Sequence, residues 1–263
     1  MARANPLTSP PPEEVHLQDA PLVRVLAQVR FPPILSIAEK SFVASFQESI
    51  RDQYPILRPE KTRSFVFGPQ GVDSSEELVW RFLDLDHVWR VTLAPSFLAL
   101  ETTSYLSRTN FLSRFQEILS ALNSCINPKI TERLGLRYIA RLENDDLEQI
   151  TELVQPEVSG ILTDLGSHVD QSISESIFSF PEGKGQMLAR WGVLPPGATI
   201  DPSAIEPIDQ RSWILDLDLS ISKERSFNLE QMMSEFSYFA ERQYTFFRWA
   251  VKDAFLSRFG GEQ

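Results

Sequence analysis

The sequence predicts an α+β fold in which antiparallel sheets carry amphipathic helices on one face and the chain finishes in a long helix. Two observations support this class. Short apolar runs are separated by turn residues, which is typical of antiparallel strands, and three longer segments carry apolar residues at helical spacing. With 42% apolar and 23% charged residues, the 263-residue chain can bury one large core or two small ones.

The N-terminal region is predicted to be an extended tail followed by a strand. Residues 1–20 contain the triplet Pro10–Pro12, and proline disfavours both helix and sheet. The segment from Leu22 to Phe31 alternates or runs apolar and contains several β-branched residues, and Pro32-Pro33 ends it. We therefore expect the fold to begin with this strand.

An amphipathic helix is predicted next. Ser36 and Glu39 match a capping box, and the helix should end near Tyr54 because a proline follows. One stripe carries the apolar residues Ile37, Phe42, Val43, Phe46 and Ile50.

The middle of the chain predicts an antiparallel meander, then a helix and a strand. A second amphipathic helix should run from Ser107 to Asn127-Pro128, and a strand from Ile130 to Leu142 follows it. The meander strands are Ser64 to Phe67, Leu78 to Leu85, Val88 to Leu93 and Phe97 to Thr102.

The second half repeats this alternation less regularly. A short helix is predicted from Asp145 to Leu153, and a β-hairpin pairs Val169 to Phe180 with Gln186 to Val193. Strict alternation from Trp213 to Ile221 predicts a half-buried strand. A helix from Asn228 to Phe259 would be about 45 Å long, so we expect it to bend or break once.

The predicted organisation is a tail of residues 1–20 and two α+β subdomains, residues 21–143 and 144–263, with a boundary near residues 143–165. The string LDLD occurs in Phe82 to Trp89 and again in Trp213 to Ser220, each time near a tryptophan. This similarity suggests that the two subdomains are related.

Charge is distributed unevenly between the two halves. The net charge is −11, and all of it falls in residues 144–263 because residues 1–143 are neutral. Residues 144–183 contain no Lys or Arg, which indicates either a solvated face or a docking surface for a basic partner. The acids of this segment are Asp145, Asp146, Glu148, Glu152, Glu157, Asp164, Asp170, Glu175 and Glu182.

Candidate partner-binding residues lie in this acidic segment and on the C-terminal helix. The helix has too many aromatic residues for one narrow stripe, so we expect Phe236, Phe239 and Phe247 in the core and others on a second face. That second face packs either within the chain or against another chain. The candidates are Asp145, Asp146, Glu148, Glu152, Tyr238, Phe246 and Trp249.

Two strings carry a family resemblance. PLVRVLAQVRF at Pro21 to Phe31 and ERLGLRYIARL at Glu132 to Leu142 resemble the PLxEVxxxxRF and RxGLRYxN motifs of a sporadically distributed bacterial family of about this length, whose members are uncharacterised. Val23-Arg24 and Ala140 depart from those motifs. The resemblance implies an accessory role, as in bacterial defence or a toxin and antitoxin pair. The matching residues are Arg30, Phe31, Arg133, Gly135, Leu136, Arg137 and Tyr138.

Arginines of the second string suggest an anion site or internal ion pairs. Strand alternation places Arg133 and Arg137 on one face, together with Gly135 and Ile139. Two guanidinium groups there can hold a phosphate or carboxylate, with Arg30 as a third member, or can pair with acids of a neighbouring strand. We favour internal pairing.

Two aspartate pairs suggest an alternative function. Asp84 with Asp86, and Asp216 with Asp218, repeat at the spacing that places both carboxylates on one strand face, as Mg²⁺ binding would need. A metal-dependent phosphoester or nucleotide-processing enzyme would use them together with the arginines. The competing interpretation is that they mark the solvent face of a half-exposed strand.

Other functional classes have little support. Three scattered histidines and the single Cys125 form no familiar zinc or catalytic motif, and no cofactor is predicted. Net negative charge disfavours nucleic-acid binding, and neither a signal peptide nor a membrane span is evident, so we expect a cytoplasmic protein. The leading hypothesis is a non-catalytic interaction protein with a protein partner or a second copy of itself. A small-molecule pocket lined by Phe and Trp is the remaining alternative.

Overall fold

A computed structural model describes residues 4–68 and 71–261, including the side chains of that part except at residues 62–76 and 167. The chain is α+β, with nine strands in one antiparallel sheet and eight α-helices in the described part. The strands are β1 Leu22–Arg30, β2 Ile56–Gly68, β3 Gly71–Leu83, β4 Trp89–Ala94, β5 Phe97–Thr102, β6 Ile130–Glu143, β7 Ser172–Ser179, β8 Gln186–Leu194 and β9 Ser212–Ser226. The helices are α1 Lys40–Ile50, α2 Arg108–Cys125, α3 Asn144–Glu148, α4 Ile150–Leu153, α5 Pro156–Ser159, α6 Leu162–Leu165, α7 Leu229–Ala250 and α8 Asp253–Arg258. Within the described ranges, no helix is both long and apolar enough to cross a membrane.

The strand order is β2-β3-β4-β5-β1-β6-β9-β8-β7. Strands β2 to β5 form the predicted meander, and β7 pairs with β8 as the predicted hairpin. The hairpin turn needs Gly185, which has φ +116° and whose added Cβ would lie 2.6 Å from the carbonyl oxygen of Ser220. Strands β2 and β7 are the two edges of the sheet.

Two compact units divide the chain in a way that differs from the predicted boundary near residues 143–165. Unit 1 comprises Met1–Val25, Leu136–Ile221 and Glu235–Gln263, and unit 2 comprises Leu26–Gly135 and Ser222–Ser234. No single cut in the sequence reproduces this division, because β1, β6 and β9 each contribute residues to both units.

The core of unit 2 contains α1 and α2. Ser107 caps α2, since its side chain accepts a hydrogen bond from the backbone N–H of Asn110 at 3.1 Å. The capping box predicted for the first helix is wrong: Ser36 lies in a 3₁₀ turn, and Glu39 precedes α1 without a side-chain cap bond. Burial matches the predicted stripes, with Val43, Phe46, Ile50, Phe111, Phe115, Ile118, Leu119 and Leu122 in the interior.

The C-terminal helix breaks once, as predicted. After Ala250 the chain forms an isolated β-bridge between Val251 and Val154. The carbonyl of Ala250 accepts a hydrogen bond from the backbone N–H of Gln155, and the N–H of Lys252 donates to Leu153. Because backbone groups here pair outside the helix, α7 ends and α8 starts three residues later.

The N-terminal tail forms a turn from Asn5 to Ser9 and then runs along the C-terminal helices of unit 1. Tyr244 accepts a hydrogen bond from the backbone N–H of Val15, and Arg242 donates to the carbonyl of Ser9 at 2.7 Å. The backbone N–H of Asp19 donates to Phe259. The first three residues of the predicted tail lie outside the described residues.

The repeated LDLD string has two different structures. Leu83 ends β3, and the remaining residues of the first string form the turn before β4. The second string lies entirely within β9, where Ser212 to Leu217 are all buried. The prediction of a half-buried strand is therefore wrong for the first residues of β9. The two copies of the string also lie in different kinds of structure, a turn and a strand.

Candidate functional site

Strands β7, β8 and β9 give unit 1 a sheet with two different faces. Phe178 and Trp191 contact Phe246 of α7, with ring centroids 5.5 and 6.3 Å apart, so their side chains point to the helix side. Since successive residues of a strand point to opposite faces, Ile177 and Asp216 lie on the other face. Buried Gln243 fastens α7 to the sheet by donating to two backbone carbonyls at 2.8 Å.

A buried ion-pair cluster lies on the face away from α7. The carboxylate of Asp216 is 1% exposed and accepts two hydrogen bonds from Arg137, at 2.8 and 2.9 Å. Arg190, its register partner on β8, donates to the same carboxylate at 2.6 and 3.0 Å. Arg137 also donates to Asp201 at 2.7 Å. Two cations thus meet two anions, and the cluster is neutral.

Electrostatic coupling in this cluster shifts two pKa values. Burial acts to lower the pKa of Arg137, but its hydrogen bonds and charge interactions with Asp216 and Asp201 outweigh burial and raise that pKa above its ordinary value. Burial likewise acts to raise the pKa of Asp201. Hydrogen bonds from Ser203 and Arg137 outweigh burial and lower the pKa of Asp201. Both groups are therefore held in their charged forms.

The cluster has a structural role. Asp201 belongs to the loop between β8 and β9, so its bond to Arg137 ties this loop to the sheet. Ala204 and Ile205 of the loop are buried against Ile139, Leu194 and Ile214. The ion pairs therefore hold an apolar cover in place over this part of unit 1.

This geometry confirms internal pairing for Arg137 and argues against its use as an anion clamp. All three guanidinium nitrogens of Arg137 already donate to carboxylates, so an incoming phosphate would have to displace them. In unit 2, Arg133 donates a hydrogen bond to the side chain of Gln28. Its guanidinium lies over Gly135, since a Cβ added to this glycine would be 2.6 Å from it. Arg30 ends β1 and is exposed.

The aspartate pairs do not form the metal site that the alternative requires. Among the side chains that the structure describes, no three of His, Cys, Asp or Glu are grouped closely enough to hold a metal ion. Asp84 and Asp86 lie in a turn, where Asp84 accepts the backbone N–H of Trp89 at 3.0 Å. Asp216 is neutralised by two arginines, and Asp218 next along that face is half-buried.

The acidic segment presents its carboxylates to solvent. Helices α3 to α6 and strand β7 occupy most of residues 144–183, and eight of the nine acidic residues there are exposed. The exception is half-buried Asp146, which accepts a hydrogen bond from Arg258 at 2.6 Å and so raises the pKa of that arginine. Two large apolar side chains, Ile161 and Leu165, are about half exposed among these acids.

The aromatic candidates on α7 mostly serve packing. Phe246 is 2% exposed between Phe178, Trp191 and Trp249, so its assignment as a partner-binding residue is wrong. Phe246 is buried because β7 and β8 each place an aromatic residue on the helix side of the sheet, and Phe246 of α7 packs against both. Tyr238 is half-buried against Phe180.

A backbone feature near the acids was missed by the sequence analysis. The backbone N–H of Phe180 donates to Gly185, which continues the β7–β8 register. Alternate pairs of an antiparallel ladder exchange hydrogen bonds, so even-numbered residues of β7 bond to β8. Odd-numbered residues therefore direct their N–H and C=O groups to the free edge. The sequence could not reveal this edge, because a hairpin signal predicts that two strands pair with each other. It does not predict which of them is the last strand of the sheet.

A cavity in unit 2 differs from the predicted aromatic pocket. Its volume is about 540 Å³, and charged and amide side chains supply most of its lining, without Phe or Trp. Arg114 is the cation among four acids, Asp52, Asp84, Asp86 and Glu117. Its chemistry is therefore that of a polar, solvated groove.

A scan of known protein-family models and a search of curated protein sequences find no match to this chain. The family resemblance of the PLVRVLAQVRF and ERLGLRYIARL strings therefore stays a prediction.

Proposed function

We propose that this chain is a non-catalytic interaction protein that binds a basic partner protein through residues 144–183. The observation that carries the proposal is the exposure of eight of nine acids in a segment without Lys or Arg. Carboxylates concentrated in this way create a negative potential, which steers a basic partner to the surface and favours it over acidic competitors.

The contrast with Asp216 supports this interpretation. Asp216, which serves the fold, is buried and paired with two arginines. Exposed acids contribute little to stability, because solvent screens them and their side chains lose entropy on pairing. Recognition therefore accounts better than stability for their concentration in one segment.

A different protein suits this surface better than a second copy of the chain. Two copies would oppose segments of the same sign, and like charges brought together oppose association. The family resemblance adds the expectation that the partner belongs to a bacterial accessory system, such as defence or a toxin and antitoxin pair, acting in the cytoplasm.

Capture of partners from the native host tests this proposal. We would compare the wild type with a triple variant, Asp145→Lys, Glu148→Lys and Glu152→Lys, which reverses three exposed acids of the segment. The matched control makes the same change at exposed acids of unit 2, namely Asp86→Lys, Glu132→Lys and Glu224→Lys. We expect a stoichiometric basic protein with the wild type and the control only. Equal recovery with all three proteins, or with none, would refute the proposal.

A further inference from the structure

We propose that β7 receives an extended basic segment of the partner protein as an added strand. This inference rests on the proposed function, because β7 lies inside the acidic segment. Strand addition of this kind obtains affinity from main-chain hydrogen bonds and specificity from alternate side chains.

The free edge of β7 offers a regular row of backbone groups. Ile173, Glu175, Ile177 and Ser179 direct their N–H and C=O groups away from β8 by the alternation established above. Of the strands that the structure describes, β8 is the one that neighbours β7. In the described ranges, the backbone hydrogen bonds that lie outside helices and strands do not involve residues 172–179.

This edge lacks the features that usually prevent pairing. Proteins protect edge strands with proline, lysine, bulges or very short strands. The segment SISESIFS contains neither proline nor lysine, and its register with β8 continues without a bulge over eight residue pairs. Glu175 is its single charged residue, so little charge on β7 opposes the addition of another strand.

The side chains define what the added strand should carry. Glu175 and Ile177 point to the face away from α7, and Ile177 is 67% exposed. Cross-strand neighbours of opposite charge, or both apolar, stabilise a pair of strands. A basic residue opposite Glu175 and an apolar residue two positions along, opposite Ile177, therefore fit this face. Serines 172, 174 and 176 on the other face accept small polar neighbours.

Charge selects a partner segment over a second β7. Two copies of β7 would pair strands whose single charged residue is the acid Glu175, so pairing would add like charge and no opposite charge. A lysine-bearing strand meets the same acid with the opposite sign, and the surrounding segment supplies further negative charge. The occupant to which we commit is thus a basic, extended peptide of a different protein.

The first experiment measures binding of a synthetic peptide to the full chain by isothermal titration calorimetry. The probe is Lys-Thr-Val-Thr-Lys-Thr-Val-Lys, which alternates basic and apolar residues on one face. The control has the same sequence with every second backbone nitrogen methylated, which removes donors from one edge and keeps the charge. We expect the methylated peptide to bind at least about tenfold more weakly, since several backbone hydrogen bonds are lost together.

The outcomes separate this inference from the proposed function. Equal affinities of the two peptides would show that charge alone binds them, which overturns strand addition and leaves acidic docking standing. Failure of both peptides to bind also overturns strand addition, whereas acidic docking is decided independently by capture with the triple lysine variants.

A variant of β7 provides the second test. Ile177→Pro removes one outward N–H and spares the ladder with β8, since proline is tolerated at an edge when its nitrogen faces solvent. The control Ile177→Thr keeps that N–H. We expect the proline variant alone to bind the unmethylated probe several-fold more weakly, with an unchanged melting temperature. Equal binding by both variants would contradict the assignment of the edge, and the methylation comparison stands even if the proline variant fails to fold.

Discussion

The buried carboxylate of Asp216 and the exposed carboxylates of residues 144–183 belong to the same unit and have opposite surroundings. Asp216 accepts hydrogen bonds from two arginines and is 1% exposed, whereas eight acids of the segment face water. A buried charge is tolerated only when it is paired, and its partners then become essential to the fold. An exposed charge costs the fold little and remains available to a partner. Burial, and not residue type, therefore separates Asp216 from the exposed acids to which we assign recognition.

The largest loss of stability should come from Asp216→Asn. The substitution leaves Arg137 and Arg190 with Asp201 as their one remaining anion, so we expect the free energy of unfolding to fall by about 3–5 kcal/mol. Urea denaturation measures this. The control Glu224→Gln, at an exposed residue of the same strand, should change it by less than about 0.5 kcal/mol. Similar stability of both variants would contradict a structural role for Asp216.

Phe246→Ala should also destabilise the fold. Its ring is 2% exposed among Phe178, Trp191 and Trp249, and truncation would leave a cavity costing about 3–5 kcal/mol. Thermal and urea denaturation report the loss. If Phe246→Ala kept the stability of the wild type and no longer captured the partner protein, Phe246 would instead belong to the interaction surface.

A smaller and pH-dependent effect is expected for Asp201→Asn. This carboxylate is 26% exposed, so losing its bond with Arg137 should cost about 1–2 kcal/mol near neutral pH. The pKa of Asp201 is lowered in the folded state, so its contribution is present above the unfolded pKa of about 3.9 and disappears as pH falls through the lower folded pKa. Urea denaturation from pH 7 down should show the two proteins converging in acid. A constant difference at every pH would contradict the ion pair.

The smallest effect on stability should come from reversing the exposed acids. Asp145→Lys, Glu148→Lys and Glu152→Lys should each change the free energy of unfolding by less than about 0.5 kcal/mol, because the side chains are exposed. Melting curves check this. A large loss of stability would place these acids with Asp216 and remove the distinction between the two regions.

Local sequence signals predicted the elements of the fold that depend on nearby residues. The hairpin of β7 and β8, the helix that follows Ser107 and one break in the C-terminal helix all follow from turn residues, helical spacing or helix length. The antiparallel α+β class followed from the same patterns.

Features set by distant contacts escaped prediction. Alternation in β9 suggested a solvent face, but that pattern cannot show whether loop residues cover it, as those around Asp201 do. Strand order is equally non-local, so the free edge of β7 and the interleaved units became visible only in the structure. Internal pairing was predicted correctly for Arg137, because a strand arginine can reach acids of a neighbouring strand, although Asp201 and Arg190 were missed as members of the cluster.

Salt elution of captured host proteins would show whether the acids of residues 144–183 hold a basic partner. The wild type and the two triple lysine variants would be immobilised, loaded with native extract at about 0.1 M salt and eluted towards about 1 M, across which the Debye length shrinks from about 10 Å to about 3 Å. We expect a basic protein that elutes from the wild type and from the unit 2 control within this range and is absent from the variant at residues 145, 148 and 152. A partner that occupies all three proteins equally and stays bound at about 1 M salt would contradict it.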